Sequence, residues 1–391
     1  MNLTPKGTVN NMALNETMIQ YAAAVQEELK QLIRDLCAIP APSHHEEKRA
    51  EFCKNWFLAN GGRDVYIDKA LNAVCPWGVT ENNEVVVVMA HTDTVFPDLE
   101  PLPFEEDGKQ FRCPGVADDT AELAILMLCA RYCMQNCPVP QVGVLFVANS
   151  GEEGLGNLKG SKAIVERYGS RMRELITLDG TQMHAIVSQA VGSHRYRVTV
   201  KTEGGHSFNA FGNRNAIRCL ASMIDTLYSV KVPQEGNSKT TYNVGTISGG
   251  TSVNTIAQEA EMLYEYRSDN KNCLAQMEAM FHQVVAAYNA MGITVEAEKI
   301  GDRPCTGDVD PEKHRQLIDR AAGAICRNTG GEVVLRSGST DCNPPLAAGI
   351  PAICISPCAG GGCHTREEYL ELDSLETGCR LVLDLLAETI G

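Results

Sequence analysis

The stretch VVVVMAHTDTVFPD, residues 85–98, decides how this chain is read. Its first six residues are apolar without alternation, so both faces of the strand they form must be buried, as in a mostly parallel sheet covered by helices. The strand then delivers His91 and Asp93 at its tip. A strand buried on both faces is a rigid post, and rigidity is what a metal ligand needs from its support. Three further runs repeat the pattern. VGVLFVA (142–148) leads into NSGEEG with Glu152 and Glu153, LITL (175–178) ends at Asp179, and AICIS (352–356) leads through PCAGGGC to His364.

Between the first two runs, DTAELAILMLCARYCMQ (119–135) has helical spacing with an Asp at its start, where a carboxylate satisfies free backbone N–H groups. Asp118 and Asp119 thus open the helix after the first strand. A helical pattern from Glu16 to Leu36, broken by IPAPS (39–43), and a second over 46–62 precede the sheet. In an open α/β sheet, ligands bind at the carboxyl ends of the strands, so residues some 270 positions apart can meet there.

The chain of 391 residues exceeds one ordinary core. From Gly192 to about Gly301 its pattern changes: HRYRVTVKT, TTYNVGTISG and EAEMLYEYRS alternate polar and apolar residues, helices are expected from Asn215 to Tyr228 and over Cys273–Met291, and ITVEAEKI closes the series. The order β-α-β-β-α-β is a self-sufficient two-layer unit of ferredoxin-like type. The expected organisation is a metal-binding α/β domain over residues 13–191 and 302–391, with a second domain inserted at 192–301.

A formal charge of −15 and the lack of a basic run argue against nucleic acid or an anionic membrane surface as partner. No stretch approaches the roughly 20 apolar residues of a membrane span, and the first dozen polar residues carry no signal-peptide core. They are expected to be disordered or to precede a start at Met12, and the protein to be cytoplasmic. None of the sixteen cysteines forms a C-x-x-C pair, so reduced thiols are expected. Cys129, Cys133 and Cys137 recur every four residues, which suits a metal but more often reflects packing.

Two histidines with three or more carboxylates are ligands that Zn²⁺, Mn²⁺ or Co²⁺ accepts. Five candidates exceed what one tetrahedral zinc uses, and an aspartate can bridge two ions, so two divalent metals serving hydrolysis are expected. CAGGGCH (358–364) has neither the spacing nor the Lys of a phosphate loop. A binding or scaffolding role without catalysis would be expected to have lost a ligand or the base.

The ordered set His-x-Asp, Asp-Asp, Glu-Glu, Asp, a GGHS stretch and a late His resembles the di-zinc metallopeptidases that include peptidase T, carboxypeptidase G, succinyl-diaminopimelate desuccinylases and aminoacylases. The resemblance implies that His91, Asp118 and Asp179 hold one ion and Asp118, Glu153 and His364 the other, with a cis bond between Asp118 and Asp119. It implies that Asp93 orients His91 through its ring N–H and that Glu152 is the general base toward a metal-bridging hydroxide. The inserted domain resembles a lid and dimerisation domain, so a homodimer is implied in which His206, in EGGHSFNAFGNRNAI, stabilises the oxyanion in the partner's site. Asn254 and Arg267 match positions that contact substrate, and Arg is the natural fork for a carboxylate. Ser339 and Thr340 lie in SGSTDCN (337–343), which resembles a loop near the substrate pocket but also reads as a simple turn.

The chain departs from the resemblance at Thr120-Ala121, where Lys-Gly is frequent, and at Phe208-Asn209. Aspartate at 179 is more typical of the peptidases. The expected activity is therefore that of an exopeptidase of peptidase T type acting on di- and tripeptides, aminopeptidase and carboxypeptidase action both remaining open. The alternative is an N-acyl-amino-acid amidohydrolase using the same site.

Overall fold

The computed structural model describes residues 2–3 and 14–390. Asn2 and Leu3 pair antiparallel with Val334 and Val333; the rest of the N-terminal stretch expected to be disordered lies outside the described residues. The chain divides into two compact units, residues 1–190 with 307–391, and 191–306. The second unit ends later than the sequence pattern places it because its last strand runs Thr294–Arg303 rather than stopping near Ile300.

The first unit is built on a nine-stranded sheet. The four apolar runs lie side by side and parallel in its centre, in the order Ala352–Ile355, Met172–Leu178, Val85–His91, Gly143–Asn149. Every residue of Val85–His91 and of Gly143–Asn149 is buried. The reason is that helices cover both faces: the core on one side collects helices Gln26–Cys37, Ala121–Asn136 and Ser374–Ile390, while Ile164, Tyr168 and Leu346 pack with Val85, Val87 and Met89 on the other. Antiparallel strands flank the parallel centre, Ala73–Trp77 against Gly143–Asn149 and Ala185–Ala190 against Ala352–Ile355.

Two expectations are corrected. The pattern from Glu16 to Leu36 is two helices, Glu16–Ala24 and Gln26–Cys37, because Val25 leaves helical geometry at φ −89° and ψ 4°. Asp118 and Asp119 do not open a regular helix. They lie in an irregular turn, Val116–Thr120, with φ near −125° and −129°, joined by a cis peptide bond, and the helix proper begins at Ala121.

The second unit is a four-stranded antiparallel sheet in the order Thr240–Gly249, Glu259–Ser268, Gly192–Lys201, Thr294–Arg303. Helices Ala216–Tyr228 and Lys271–Ala290 pack on one face, where Tyr196, Tyr264, Tyr266 and Phe281 form the core. Asn215 and Asn270 cap these helices by accepting N–H bonds from their first turns.

Candidate metal centre

His91 ends its strand in register with Asn149 of the neighbouring strand. Just beyond, the Thr92 N–H and hydroxyl both donate to the Asn149 carbonyl, at 2.7 and 2.8 Å, which locks the two strand tips together. Arg49, buried on helix Glu47–Ala59, donates to the Thr92 carbonyl at 2.9 Å and to the Thr120 hydroxyl at 3.3 Å, and its remaining N–H groups go to the Leu36 and Ile39 carbonyls. The tip that carries His91 and Asp93 is therefore held from three sides.

Asp118 joins the two histidines. His91 Nε2 lies 3.0 Å from Asp118 Oδ1, and His364 Nε2 lies 3.1 Å from Asp118 Oδ2. His364 Nε2 is also 3.2 Å from Glu153 Oε1. One carboxylate thus presents one oxygen to each imidazole, the disposition a bridging ligand has. Donor atoms of His91, Asp118 and Glu153 all lie within 4.8 Å of one another, as do those of His91, Glu152 and Asp179. All five candidate ligands gather at one end of the sheet, and Glu152, expected as the base, stands among them. No cysteine joins either group among the described residues, and all sixteen cysteines are free.

The electrostatics follow from packing acids together away from water. Burial, with the neighbouring charges of Asp118 and Glu152, pushes the Asp179 carboxyl well above its ordinary range, and burial lifts Glu153 to about 7. Burial also pushes Asp118 up, but the hydrogen bonds from His364 and His91 outweigh it and hold that carboxyl well below the usual range. His364 is raised to about 10 by its hydrogen bonds to Asp118 and Glu153. For His91 burial opposes charge, and the carboxylates of Asp119, Asp118 and Asp93 overcome it. Buried carboxylates thus outnumber the imidazoles beside them, and the donor set calls for more positive charge than the chain supplies. Divalent cations with a preference for nitrogen and oxygen ligands fit that demand.

Asp93 meets the His91 ring N–H more closely through its main chain than through its carboxylate. His91 Nδ1 donates to the backbone carbonyl of Asp93 at 3.0 Å, and the carboxylate is farther, at 3.6 Å. The carboxylate instead accepts the N–H groups of Glu152 and Glu153, each at 3.0 Å, and the Ser43 hydroxyl at 2.7 Å. It therefore positions the two glutamates. Their loop needs Gly151, which has φ +67° and lies so close to Lys159 that a Cβ would meet its Cγ at 2.5 Å. Lys159 in turn donates to the buried Glu46 at 2.8 Å.

Asp119, read from the sequence as a helix cap, accepts the His91 backbone N–H at 2.6 Å and makes no cap bond to its own helix. Arg49, Glu368 and Asp341, which hydrogen-bonds Asn149, escaped the sequence reading. Arg49 and Glu368 sit in charged runs, EEKRAEF and REEYLELD, that look solvated, and only burial distinguishes them. Thr340 serves its own turn: its N–H donates to Asn343 Oδ1 at 3.0 Å, and its hydroxyl accepts the Cys342 N–H at 3.2 Å. Ser339 adjoins it at the end of strand Val333–Gly338.

The remaining candidates belong to the second unit. His206 is exposed, pairs with Thr255 in a two-stranded ribbon, and its Nδ1 accepts the Phe208 N–H at 3.2 Å. Asn254 lies beside it, its carbonyl accepting the Ser207 N–H at 2.9 Å. Arg267 grips Glu265 of its own strand with both arms of its fork, at 3.0 and 3.1 Å.

A family model described as Peptidase family M20/M25/M40 matches residues 87–388. The chain belongs to that family. It is 24% identical to the uncharacterized protein YqjE of Bacillus subtilis (strain 168), over 93% of this chain and 98% of that one. It is 23% identical to the putative succinyl-diaminopimelate desuccinylase DapE of Mycobacterium tuberculosis (strain ATCC 25618 / H37Rv), over 92% and 97%. Among solved structures it resembles aminopeptidase PepT from Bacillus cereus ATCC 10987, with a TM-score of 0.72 at 21% identity, covering 94% of this chain and 99% of that one. This M20-family chain therefore carries the acids and imidazoles of its candidate metal centre on a peptidase fold. No helix among the described residues is long and apolar enough to cross a membrane.

Proposed function

We propose that the chain is a di-metal exopeptidase acting on di- and tripeptides. The observation that carries the reading is Asp118, which offers one carboxylate oxygen to His91 and the other to His364. His91, Asp118 and Asp179 would hold one divalent ion, and Asp118, Glu153 and His364 the other. Zinc suits this set best, and Mn²⁺ or Co²⁺ are accepted by the same donors. When bound, such ions activate a water and polarise the scissile carbonyl.

The chain's own residues do the rest. Glu152, buried and with its backbone N–H fixed by Asp93, takes the proton of the attacking water and hands it to the leaving amine. His206, whose Nδ1 is occupied by its own turn, keeps Nε2 for the oxyanion in the site of a partner subunit, so the working form is a homodimer joined through the second unit. Arg267, whose fork already grips a carboxylate, exchanges Glu265 for that of the substrate, with Asn254, Ser339 and Thr340 as further substrate contacts. Sixteen free cysteines support a reducing, cytoplasmic setting.

Aspartate at 179 favours a peptidase, while the likeness to a desuccinylase keeps N-acyl amino acids within the same amide chemistry. A panel of di- and tripeptides set against N-acetyl and N-succinyl amino acids separates them. Peptide cleavage is expected, and turnover of acylated substrates alone would replace the peptidase reading. Glu152→Gln is expected to bind metal while losing roughly 10²–10⁴-fold in turnover. Unchanged turnover would remove Glu152 from its role.

A further inference from the structure

Glu368 is a carboxylate 1% exposed. It has no part in the ligand set proposed above, nor in either donor group. Burying it is costly unless its oxygens are met by donors. All three donors come from one turn: the Gly115 N–H donates to Oε2 at 2.8 Å, and the Ala117 and Asp118 N–H groups donate to Oε1 at 2.9 Å each. Successive N–H groups converging in this way form a backbone nest for an anion. The nest depends on Gly115, at φ +81°, where a Cβ would meet Thr94 Cγ2 at 2.5 Å.

The other end of the connection is equally short. Glu368 follows His364 by four residues; the turn that carries His364 is closed by the Thr365 N–H and hydroxyl, which donate to the Gly362 carbonyl at 3.0 and 2.7 Å, and the Glu367 N–H donates back to the Thr365 hydroxyl at 3.3 Å. Beyond it, Tyr369–Glu371 pairs antiparallel with Gln110–Arg112, and the Cys113 N–H donates to the Glu368 carbonyl at 3.2 Å. A closed path therefore runs from His364 through its turn to Glu368, and by hydrogen bonds into the main chain of Asp118.

We propose that Glu368 is a positioning residue that sets the bridging Asp118 against His364, so that two ligands about 250 residues apart in sequence meet one ion. The inference rests on the metal-centre reading above and adds to it the device that joins the two halves of the site. Removing the carboxylate leaves Asp118 and His364 in the chain but no longer tied to each other. Residues that orient metal ligands typically cost 10–100-fold in affinity when changed.

The test is zinc titration of the metal-stripped full-length chain against a chromophoric chelator, for wild type, Glu368→Gln and Glu368→Asp, with the visible spectrum of the Co²⁺-loaded forms as a second readout. Wild type is expected to take up about two ions. In Glu368→Gln one of them should bind about 10–100-fold more weakly with an altered Co²⁺ spectrum, and Glu368→Asp should fall between. A wild type that binds no zinc would sink the metal-centre reading itself. A wild type that binds normally beside a Glu368→Gln form of equal affinity and spectrum would overturn the role of Glu368 alone, even if that variant melts at a lower temperature. Should neither variant fold, hydrogen exchange in the wild type decides: slow exchange at Gly115, Ala117 and Asp118, slower still with zinc, is expected, and fast exchange there overturns the inference.

Discussion

Asp93 accepts three hydrogen bonds, from the Glu152 and Glu153 N–H groups and the Ser43 hydroxyl, while fully buried. Each buried N–H left without an acceptor costs about 1–3 kcal/mol, so Asp93→Ala is expected to lower the unfolding free energy by roughly 3 kcal/mol in urea titration. Asp93→Asn keeps the shape but turns an N–H₂ group toward at least one donor. Activity should fall about 10–100-fold while the substrate KM stays near its original value, because the change reaches the reaction through the two glutamates and His91 and not through a substrate contact. At this scale the sequence singled out, by residue type, acids and imidazoles that the fold brings together, His91, Asp118, Glu153, Asp179 and His364. It was not legible for Asp119, Arg49 and Glu368. An acid that receives a backbone N–H and one that faces water are the same letter, and only burial tells them apart.

At the scale of the elements, the Val85–His91 strand holds His91 by its backbone pairing with both neighbouring strands and by the packing of its side chains on both faces of the sheet. Met89, fully buried two residues before His91, faces Leu145, Ile164 and the other apolar residues of the second core layer. Met89→Ala should destabilise the chain by about 2–5 kcal/mol in chemical denaturation. The folded fraction should still take up its metal, which equilibrium dialysis below the unfolding transition checks. The four central strands were legible because they are apolar on both faces. Ala185–Ala190 and Val333–Gly338 were not, because they are half exposed and carry no such run. The irregular turn at Asp118 was legible only through the resemblance, which implied its cis bond: by pattern alone its letters suit a helix start, while in the fold His91 and His364 meet one carboxylate and Glu368 the backbone.

For the whole molecule, ligands that repel one another without cations should make folding depend on metal. Chelation is expected to lower the melting temperature and metal to restore it; an ion present at 1,000 times its dissociation constant contributes about 4 kcal/mol. An unchanged melting temperature would argue against a filled centre. The proposed trans role of His206 predicts complementation: His206→Ala and Glu152→Gln, each nearly inactive alone, should on mixing and subunit exchange regain about a quarter of wild-type turnover, since half of the dimers would carry one intact site. No recovery, with exchange confirmed, would remove the trans role. By itself the sequence determined which segments are buried, which residue types stand at the strand tips, and that a two-layer unit interrupts the larger one. These are local properties, written in hydrophobic period and side-chain chemistry. Only the tertiary structure decided which acids gather with the imidazoles, that the Asp93 carboxylate accepts the N–H groups of the two glutamates, and that Glu368 reaches the turn of Asp118. Those outcomes depend on distances between segments hundreds of residues apart, and burial assigns an acid its role only after the chain has closed around it.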